Sequence, residues 1–179
     1  YWKPIQCGVL PKTDRQSVAE LTGLSSDLFI EETHLLKTPC SPHIAAKIEN
    51  KKILLEDFIL PSVNKNLVIE GAGGCMVPLN GNHTLVDLIK KLDIQTVVVS
   101  KNYLGSINHT LMTIKVLQAS NIKIGGLIFN GKENTEIESF ISNKVDLPIL
   151  FRLGNLEHIN HEIISAEAVR VRKEIFKWI

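Results

Sequence analysis

The sequence has few cysteines, no long apolar run and no excess of charge of either sign. Its three cysteines, Cys7, Cys40 and Cys75, are far apart and form no CxxC pair. They indicate neither a disulfide framework nor a zinc knuckle, so a reduced, cytoplasmic setting is expected. No run approaches the roughly 20 apolar residues that span a bilayer, and no membrane partner is expected.

Charge and length narrow the class of protein further. The 20 basic and 19 acidic residues leave a formal charge of +1, which argues against a nucleic-acid partner. The six histidines show no zinc-ligand spacing. At 179 residues the chain is predicted to be a single domain, 1–179.

The hydrophobic pattern predicts alternating strands and helices. Short apolar runs rich in β-branched residues predict strands at 66–70, 94–100, 122–130 and 147–151. Helical spacing places Ile107, Leu111, Ile114 and Leu117 on one face, and Ile137, Phe140 and Ile141 on another. Helices are predicted at 107–117, 133–143, 84–91 and 161–174, and short ones near 14–21, 43–48 and 52–60. This order indicates an α/β fold, a doubly wound, mostly parallel sheet with helices on both faces.

Ligands of such sheets bind at the carboxyl ends of the strands, and the stretch NLVIEGAGG ends one strand at Glu70. The glycines allow a backbone to approach an oxyanion closely, and a carboxylate suits Mg²⁺. A tight turn with a solvated glutamate explains the stretch equally well.

Other strand ends carry weaker signals. Ser106 is a candidate N-cap that can also receive an anion, and capping is favoured. Asn130 can pair with an adenine edge or start a turn. Lys3 in YWKP is expected on the same rim, where a lone lysine is usually solvated. Asp14 is read first as an acid in the first turn of a helix, and second as a metal ligand. No Walker A loop, GxxxxGK[ST], is present.

Taken together, these stretches resemble the dethiobiotin synthetases, ATP-dependent ligases of the P-loop α/β class. The resemblance is carried by YWKP, SPHIAA, VIEGAGG, VVVSKNYLGSINHTLMT and GGLIFN, in family order over residues 1 to about 156. It implies a P-loop NTPase-like fold. It also implies that the chain is N-terminally incomplete, with the Walker A loop upstream of Tyr1.

The resemblance implies a reaction as well. In the family, 7,8-diaminononanoate takes up CO₂ as a carbamate, ATP phosphorylates the carbamate to a mixed anhydride, and the second amine closes the ureido ring. The products are dethiobiotin, ADP and phosphate. Mg²⁺ and ATP are therefore the implied cofactor and co-substrate.

Individual residues take roles by the same resemblance. Lys3 resembles the catalytic lysine, and Asp14 and Glu70 resemble the Mg²⁺ ligands. The implied nucleotide-binding residues are Asp14, Glu70, Gly71, Ala72, Gly73, Asn130, Gly131, Gly154, Asn155 and Leu156. The implied substrate-binding residues are Cys7, Gly105, Ser106, Ile107 and Asn108. In the family the last four serve the partner subunit's site, which implies a homodimer with composite sites.

Two stretches depart from the family pattern. Cys7 stands where a hydroxyl residue is common, and FRLGNLE at 151–157 lacks the usual glycine and proline pattern. Two alternatives stay open: another amidating ATPase of the same superfamily, and a non-catalytic binding protein of P-loop fold.

Overall fold

A computed structural model describes residues 1–175, which form two compact units. The first is Tyr1–Asp93 and the second begins at Ile94. In each unit parallel strands are combined with helices, which confirms the predicted α/β class. The single-domain organisation stays a prediction.

The first unit is built on a short parallel pair of strands. Its elements are β1 Ile5–Cys7, α1 Asp14–Thr22, β2 His34–Leu36, α2 Pro42–Ile48 and α3 Leu85–Leu92. Cys7 lies opposite Leu36 in the β1–β2 register, and α2 packs against both strands. Regular strand pairing of the N-terminal segment begins only at Ile5. β2 was not predicted, since three residues are too few for a pattern to be detected.

Two further segments of the first unit differ from the predictions. In the predicted strand 66–70 only Ile69 forms a parallel bridge, to Trp2, and Trp2 also bridges to Ile30. The predicted helix 52–60 is reduced to a 3-10 turn at Leu55–Asp57. Its buried side chains, Ile53 and Phe58, are five residues apart, a spacing that lies on different faces of an α-helix.

The second unit has a three-stranded parallel sheet in the order β3–β4–β5. Its elements are β3 Thr96–Lys101, α4 Ser106–Ala119, β4 Ile124–Asn130, α5 Thr135–Lys144, β5 Ile149–Leu153 and α6 His161–Ile175. The register sets Lys101 beside Asn130 and Asn130 beside Leu153. The three carboxyl ends therefore lie side by side, as the sequence predicts for parallel strands.

The helices of the second unit follow their predicted faces with one exception. In α4, Ile114 and Leu117 are buried, whereas Ile107 and Leu111 are half-buried. In α5, Ile141 is buried but Phe140 is 45% exposed, with the Lys144 ammonium 5.6 Å from its ring centre. The ring of Phe140 is thus covered by the side chain of Lys144 and not by the protein core. None of the described helices is long and apolar enough to cross a membrane.

Candidate functional site

Backbone pairing brings Lys3 beside Glu70. The Trp2 N–H donates to Val68 O at 2.9 Å, and the Glu70 N–H donates to Trp2 O at 3.0 Å. The segment carrying Glu70 thus runs alongside the residues that precede β1. Lys3 is only 6% exposed, so the expectation of a solvated rim lysine is wrong.

The Lys3 ammonium is shared by two carboxylates. Nζ donates to Glu70 Oε1 at 2.8 Å and also donates to Asp14 Oδ2. Their side chains are 43% and 45% exposed, so each acid keeps oxygen lone pairs open to a ligand. The three residues are therefore brought together as a cluster, which we call the Lys3 cluster.

The start of α1 sets the position of Asp14. Thr13 caps the helix: its Oγ1 accepts from Gln16 N at 3.2 Å, and Gln16 Oε1 accepts from Thr13 N at 2.9 Å. Gln6 of β1 accepts from Asp14 N at 3.2 Å. The predicted first-turn position of Asp14 is confirmed, and its side chain also contacts Lys3.

Burial and ion pairing act in opposite directions on the Lys3 ammonium. Burial lowers its pKa, but the hydrogen bonds to Asp14 and Glu70 outweigh burial and raise the pKa above its ordinary value. The group is therefore a cation at neutral pH.

Tyr1 belongs to the same cluster and was missed by the sequence reasoning. Its phenol donates to Glu70 Oε2 at 2.5 Å. Burial, followed by this hydrogen bond, raises the pKa of the phenol. A signal was available, because Tyr1 and Lys3 are two residues apart and in an extended chain share a face.

The carboxylates of the Lys3 cluster suit a hard cation. Mg²⁺ is commonly held by one or two carboxylates together with substrate phosphates, and Asp14 and Glu70 are such a pair. Within residues 1–175 no group of three or more His, Cys, Asp or Glu side chains is arranged to hold a metal ion. A cation here would thus need ligands besides Asp14 and Glu70, such as a bound phosphate or water.

The glycines after Glu70 form a tight loop. Gly73 has a φ of +83°, which other residues adopt only with strain. A Cβ at Gly71 would lie 2.8 Å from Leu85 Cδ2. Gly71 and Gly73 are exposed and Ala72 is half-buried, so their backbone groups lie near the surface beside Glu70.

Cys7 ends β1 as a half-buried free thiol. Burial, together with the nearby Cys40 and Glu49, raises the pKa of this thiol to about 11. Among the described residues Cys7, Cys40 and Cys75 form no disulfide bond.

In the second unit the predicted base-binding residues lie around the end of β4. Asn130 is exposed, and Gly131, with a φ of +102°, begins a turn. A Cβ at Gly131 would lie 3.5 Å from Asn155 Oδ1. Gly154 is exposed and Leu156 is half-buried in the same loop. Arg152, which the sequence reasoning missed, donates to the Gly131 carbonyl.

The start of α4 corrects one prediction. The N-cap is Gly105, with a φ of +99°, and Ser106 is the first helical residue. Ser106 is 1% exposed, and its buried Oγ has no hydrogen-bond partner within residues 1–175. The predicted N-cap role of Ser106 is wrong. The cap position has a left-handed backbone conformation, which a glycine adopts without strain. Ile107 and Asn108 complete the first turn, with Asn108 exposed.

A groove of about 580 Å³ lies elsewhere in the first unit. Its walls come from α2, the segment 51–56 and the loop 79–83. None of the predicted site residues lines it.

Comparisons with known proteins agree on one family. The AAA domain family matches residues 1–173. A protein of Cytophaga hutchinsonii named ATP-dependent dethiobiotin synthetase BioD is 41% identical over 96% of this chain and 83% of its own length. Proteins of the same name from Christiangramia forsetii and Rhodopseudomonas palustris are 38% and 41% identical. They cover 98% and 95% of this chain, and 84% and 78% of their own lengths.

Proposed function

The chain belongs to the dethiobiotin synthetase family of P-loop-type α/β ATPases, and from that membership we propose that it makes dethiobiotin from 7,8-diaminononanoate, CO₂ and ATP. The observation that supports this most is the Lys3 cluster. It sets one buried cation between two carboxylates, at a position that the family resemblance assigns to catalysis.

The proposed reaction has three steps. One amine of the diamine adds to CO₂ and loses a proton to give a carbamate. A carbamate oxygen attacks the γ-phosphorus of ATP, which releases ADP and leaves a carbamic-phosphoric anhydride. The second amine then attacks the carbonyl carbon, phosphate leaves, and the ureido ring is closed.

In this proposal Lys3 stabilises developing negative charge. Its ammonium is held by Asp14 and Glu70 and needs little rearrangement to meet a carbamate or phosphoryl oxygen. Fixed charges of this kind contribute strongly to phosphoryl transfer, because they are oriented before the reaction begins.

Asp14 and Glu70 would hold Mg²⁺. Both offer oxygen ligands, and both are about half exposed. When bound, the ion would neutralise charge on the nucleotide phosphates. Tyr1, which donates to Glu70 Oε2, would leave Oε1 of that carboxylate to the ion and Lys3.

The nucleotide would be bound by two groups of residues. The backbone of Gly71, Ala72 and Gly73 would meet the phosphates and the carbamate. The base would be read by the Asn130 amide, with the other contacts from Gly131, Gly154, Asn155 and Leu156. Support for the second group comes from the approach of Asn155 to Gly131.

The diamine would lie against Cys7 at the end of β1, with its distal carboxylate at the start of α4 of the partner subunit. The helix N–H groups at Gly105, Ser106, Ile107 and Asn108 suit an anion. Since the family uses this helix start in the partner's site, we propose a homodimer, located in the cytoplasm.

The direct test is an assay of the purified full-length protein with diamine, bicarbonate, ATP and Mg²⁺. Dethiobiotin detected by mass spectrometry, with one ADP released for each ring closed, is the expected result. ATP turnover that is indifferent to the diamine would favour another amidating ATPase, and no turnover with any of these substrates would favour a binding protein.

A variant of Glu70 tests the metal assignment. Glu70→Gln removes one charge and should raise the Mg²⁺ concentration for half-maximal rate by about tenfold, the loss of a charge-assisted contact. Calorimetric titration with Mg²⁺ and a non-hydrolysed ATP analogue gives a second readout. An unchanged metal dependence in both would remove Glu70 from the metal site.

A further inference from the structure

The Gly131 peptide is held on both sides by β5. Its N–H donates to Leu153 O at 3.0 Å, and its carbonyl accepts from Arg152 Nη2 at 2.9 Å. A glycine with a φ of +102° has wide conformational freedom of its own. These two hydrogen bonds therefore fix a turn that the glycine alone would leave free.

Arg152 is in turn fixed by a carboxylate of α5. Nε donates to both oxygens of Glu138 at 3.2 Å, and Nη2 donates to Oε1 at 3.2 Å. The side chains are 25% and 13% exposed. The three hydrogen bonds between the planar guanidinium and the carboxylate fix the orientation of the Arg152 side chain. They therefore direct Nη2 towards the Gly131 carbonyl.

The same carboxylate reaches the end of β3. Asn102 Nδ2 donates to Glu138 Oε1 at 2.5 Å and to Lys132 O at 3.0 Å. The Asn134 N–H donates to Glu138 Oε1 at 3.3 Å. Glu138 thus joins β3, the turn after β4 and β5 at the sheet edge where ligands of α/β folds bind.

We propose that Arg152 and Glu138 are positioning residues that hold the Asn130–Gly131 turn in the conformation that receives the nucleotide base. The inference rests on the proposed function, because that function makes Asn130 the adenine reader. Neither residue carries a catalytic role in that proposal. Their effect on the nucleotide passes through the Gly131 peptide, which Arg152 touches directly.

The chemistry of the pair predicts which kinetic constant changes. A turn beside the base contributes to binding equally in the ground state and the transition state, so its loss raises KM and leaves kcat nearly unchanged. A lysine at position 152 cannot replace the arginine, because one ammonium lacks the fork that bonds Glu138 and the Gly131 carbonyl together.

The experiment uses Arg152→Lys and Glu138→Gln in the full-length protein. Each should raise the KM for ATP about tenfold, as for a lost charge-assisted hydrogen bond. The kcat should stay within about twofold and the KM for the diamine should not change, since the changed contact serves the base and none of the reacting atoms. The double variant should be no worse than the worse single variant, because both changes break one network.

The preference for adenine over guanine distinguishes a positioning role of Arg152 and Glu138 from a purely structural one, because a purely structural role would leave this preference unchanged. The preference for ATP over GTP, as a ratio of kcat/KM, should fall by about fivefold in both variants, since the base contact is weakened. Inhibition by tripolyphosphate, which has no base, should be unchanged. Glu136→Gln is the matched control, because Glu136 is exposed and lies two residues earlier in α5.

Two outcomes are decisive against the inference. An unchanged KM for ATP and unchanged base preference would overturn it, as would a loss of kcat alone. If Arg152→Lys does not fold, Glu138→Gln, which preserves the side-chain shape, decides by the same measurements. If the wild-type protein makes no dethiobiotin, the proposed function fails, and calorimetric affinity for ATP in the same variants still tests the role of the pair.

Discussion

Lys3 has a buried ammonium between two half-exposed carboxylates. We therefore expect the removal of its charge to lower activity much more than stability. Lys3→Met keeps the apolar stem and removes the charge. We expect kcat to fall by at least about 100-fold, because a preoriented cation at the reacting oxygens is lost. The free energy of unfolding should fall by about 1 kcal/mol or less, since Asp14 and Glu70 stay hydrated. Steady-state kinetics and urea unfolding measure the two effects.

Lys12→Met is the control for that substitution. Lys12 also pairs with an acid, Glu20, but both side chains are more than half exposed. It should alter neither kcat nor stability measurably. Equal losses of stability and activity in Lys3→Met would instead assign Lys3 a structural role.

Cys7 should be a poor nucleophile in the folded protein. Its thiol pKa is raised from 9.0 to about 11, so the thiol form persists as pH rises until that value is approached. At pH 8 the reactive thiolate is about 100-fold scarcer than in an ordinary thiol. Alkylation by iodoacetamide, followed by mass spectrometry of the Cys7 peptide, should be slower by about that factor than in urea. Equal rates in both states would contradict the raised pKa.

For single residues, the sequence predicted which residues belong to the site better than it predicted their burial and their hydrogen-bond partners. The order of Lys3, Asp14 and Glu70 indicated a cluster, and the structure brings the three together. The contact of Lys3 with Glu70 could not be read from a sequence pattern, because the two residues are 67 positions apart along the chain. Arg152 offered a signal, a charge inside the apolar run LPILFRL, but its partner Glu138 lies on a different element.

Helix α4 depends on an unusual backbone at its first turn. Gly105→Ala meets no atom within 4 Å, but it forces a φ of +99° on a residue with a side chain. We expect a loss of about 1–2 kcal/mol in the free energy of unfolding from this strain alone. Urea unfolding monitored by circular dichroism measures it.

Gly81→Ala is the control for Gly105→Ala, because it adds the same methyl group in open space without the backbone strain of a left-handed φ. A Cβ at Gly81 would likewise meet no atom within 4 Å, and the φ of Gly81 lies outside the left-handed region. Its substitution should change stability by less than about 0.5 kcal/mol. If both alanines had the same small effect, the left-handed cap at Gly105 would not be required.

Elements with long, regular patterns were predictable from the sequence and short ones were not. α4 was identified because its apolar residues repeat a helical period along an element of 14 residues, and β4 because its 7 residues are part of a continuous apolar run. β2 has three residues, and only its parallel partner β1 makes it a strand. The N-cap of α4 was assigned to Ser106 from residue preference, whereas the backbone angle at Gly105 decides where the helix begins.

The proposed homodimer can be tested through its composite sites. Asn108→Asp adds a negative charge in the first turn of α4, which suits the helix dipole but repels a substrate carboxylate. Lys3→Met and Asn108→Asp homodimers should each be nearly inactive. Hybrid dimers contain one site with neither change, so an equal mixture that exchanges subunits should regain about a quarter of wild-type activity.

A mixture with no gain in activity would count against sites shared between subunits, provided that size-exclusion chromatography of tagged chains shows exchange. Lys12→Met with Asn108→Asp serves as the control mixture. It should gain only what the active Lys12→Met subunits supply.

For the whole molecule, the α/β class followed from the alternation of β-branched runs and amphipathic helices. The periodicity could not indicate which strand ends carry functional residues. That assignment came from the resemblance to the dethiobiotin synthetases, whose motifs occur in the same order. The limits lie in contacts between distant segments, such as the pairing of Trp2 with Ile69, because a sequence pattern records no such neighbours.

The Lys3 cluster has one ammonium and two carboxylates, so without a ligand it carries one net negative charge. A free nucleotide polyanion is repelled by such a surface, whereas its magnesium complex brings the compensating charge with it. In the proposed reaction the true kinetic substrate is therefore the metal–nucleotide complex. Raising total ATP above total magnesium should therefore give no further increase in rate, because the complex cannot exceed the total magnesium, and the excess free nucleotide should inhibit only weakly because the cluster repels it.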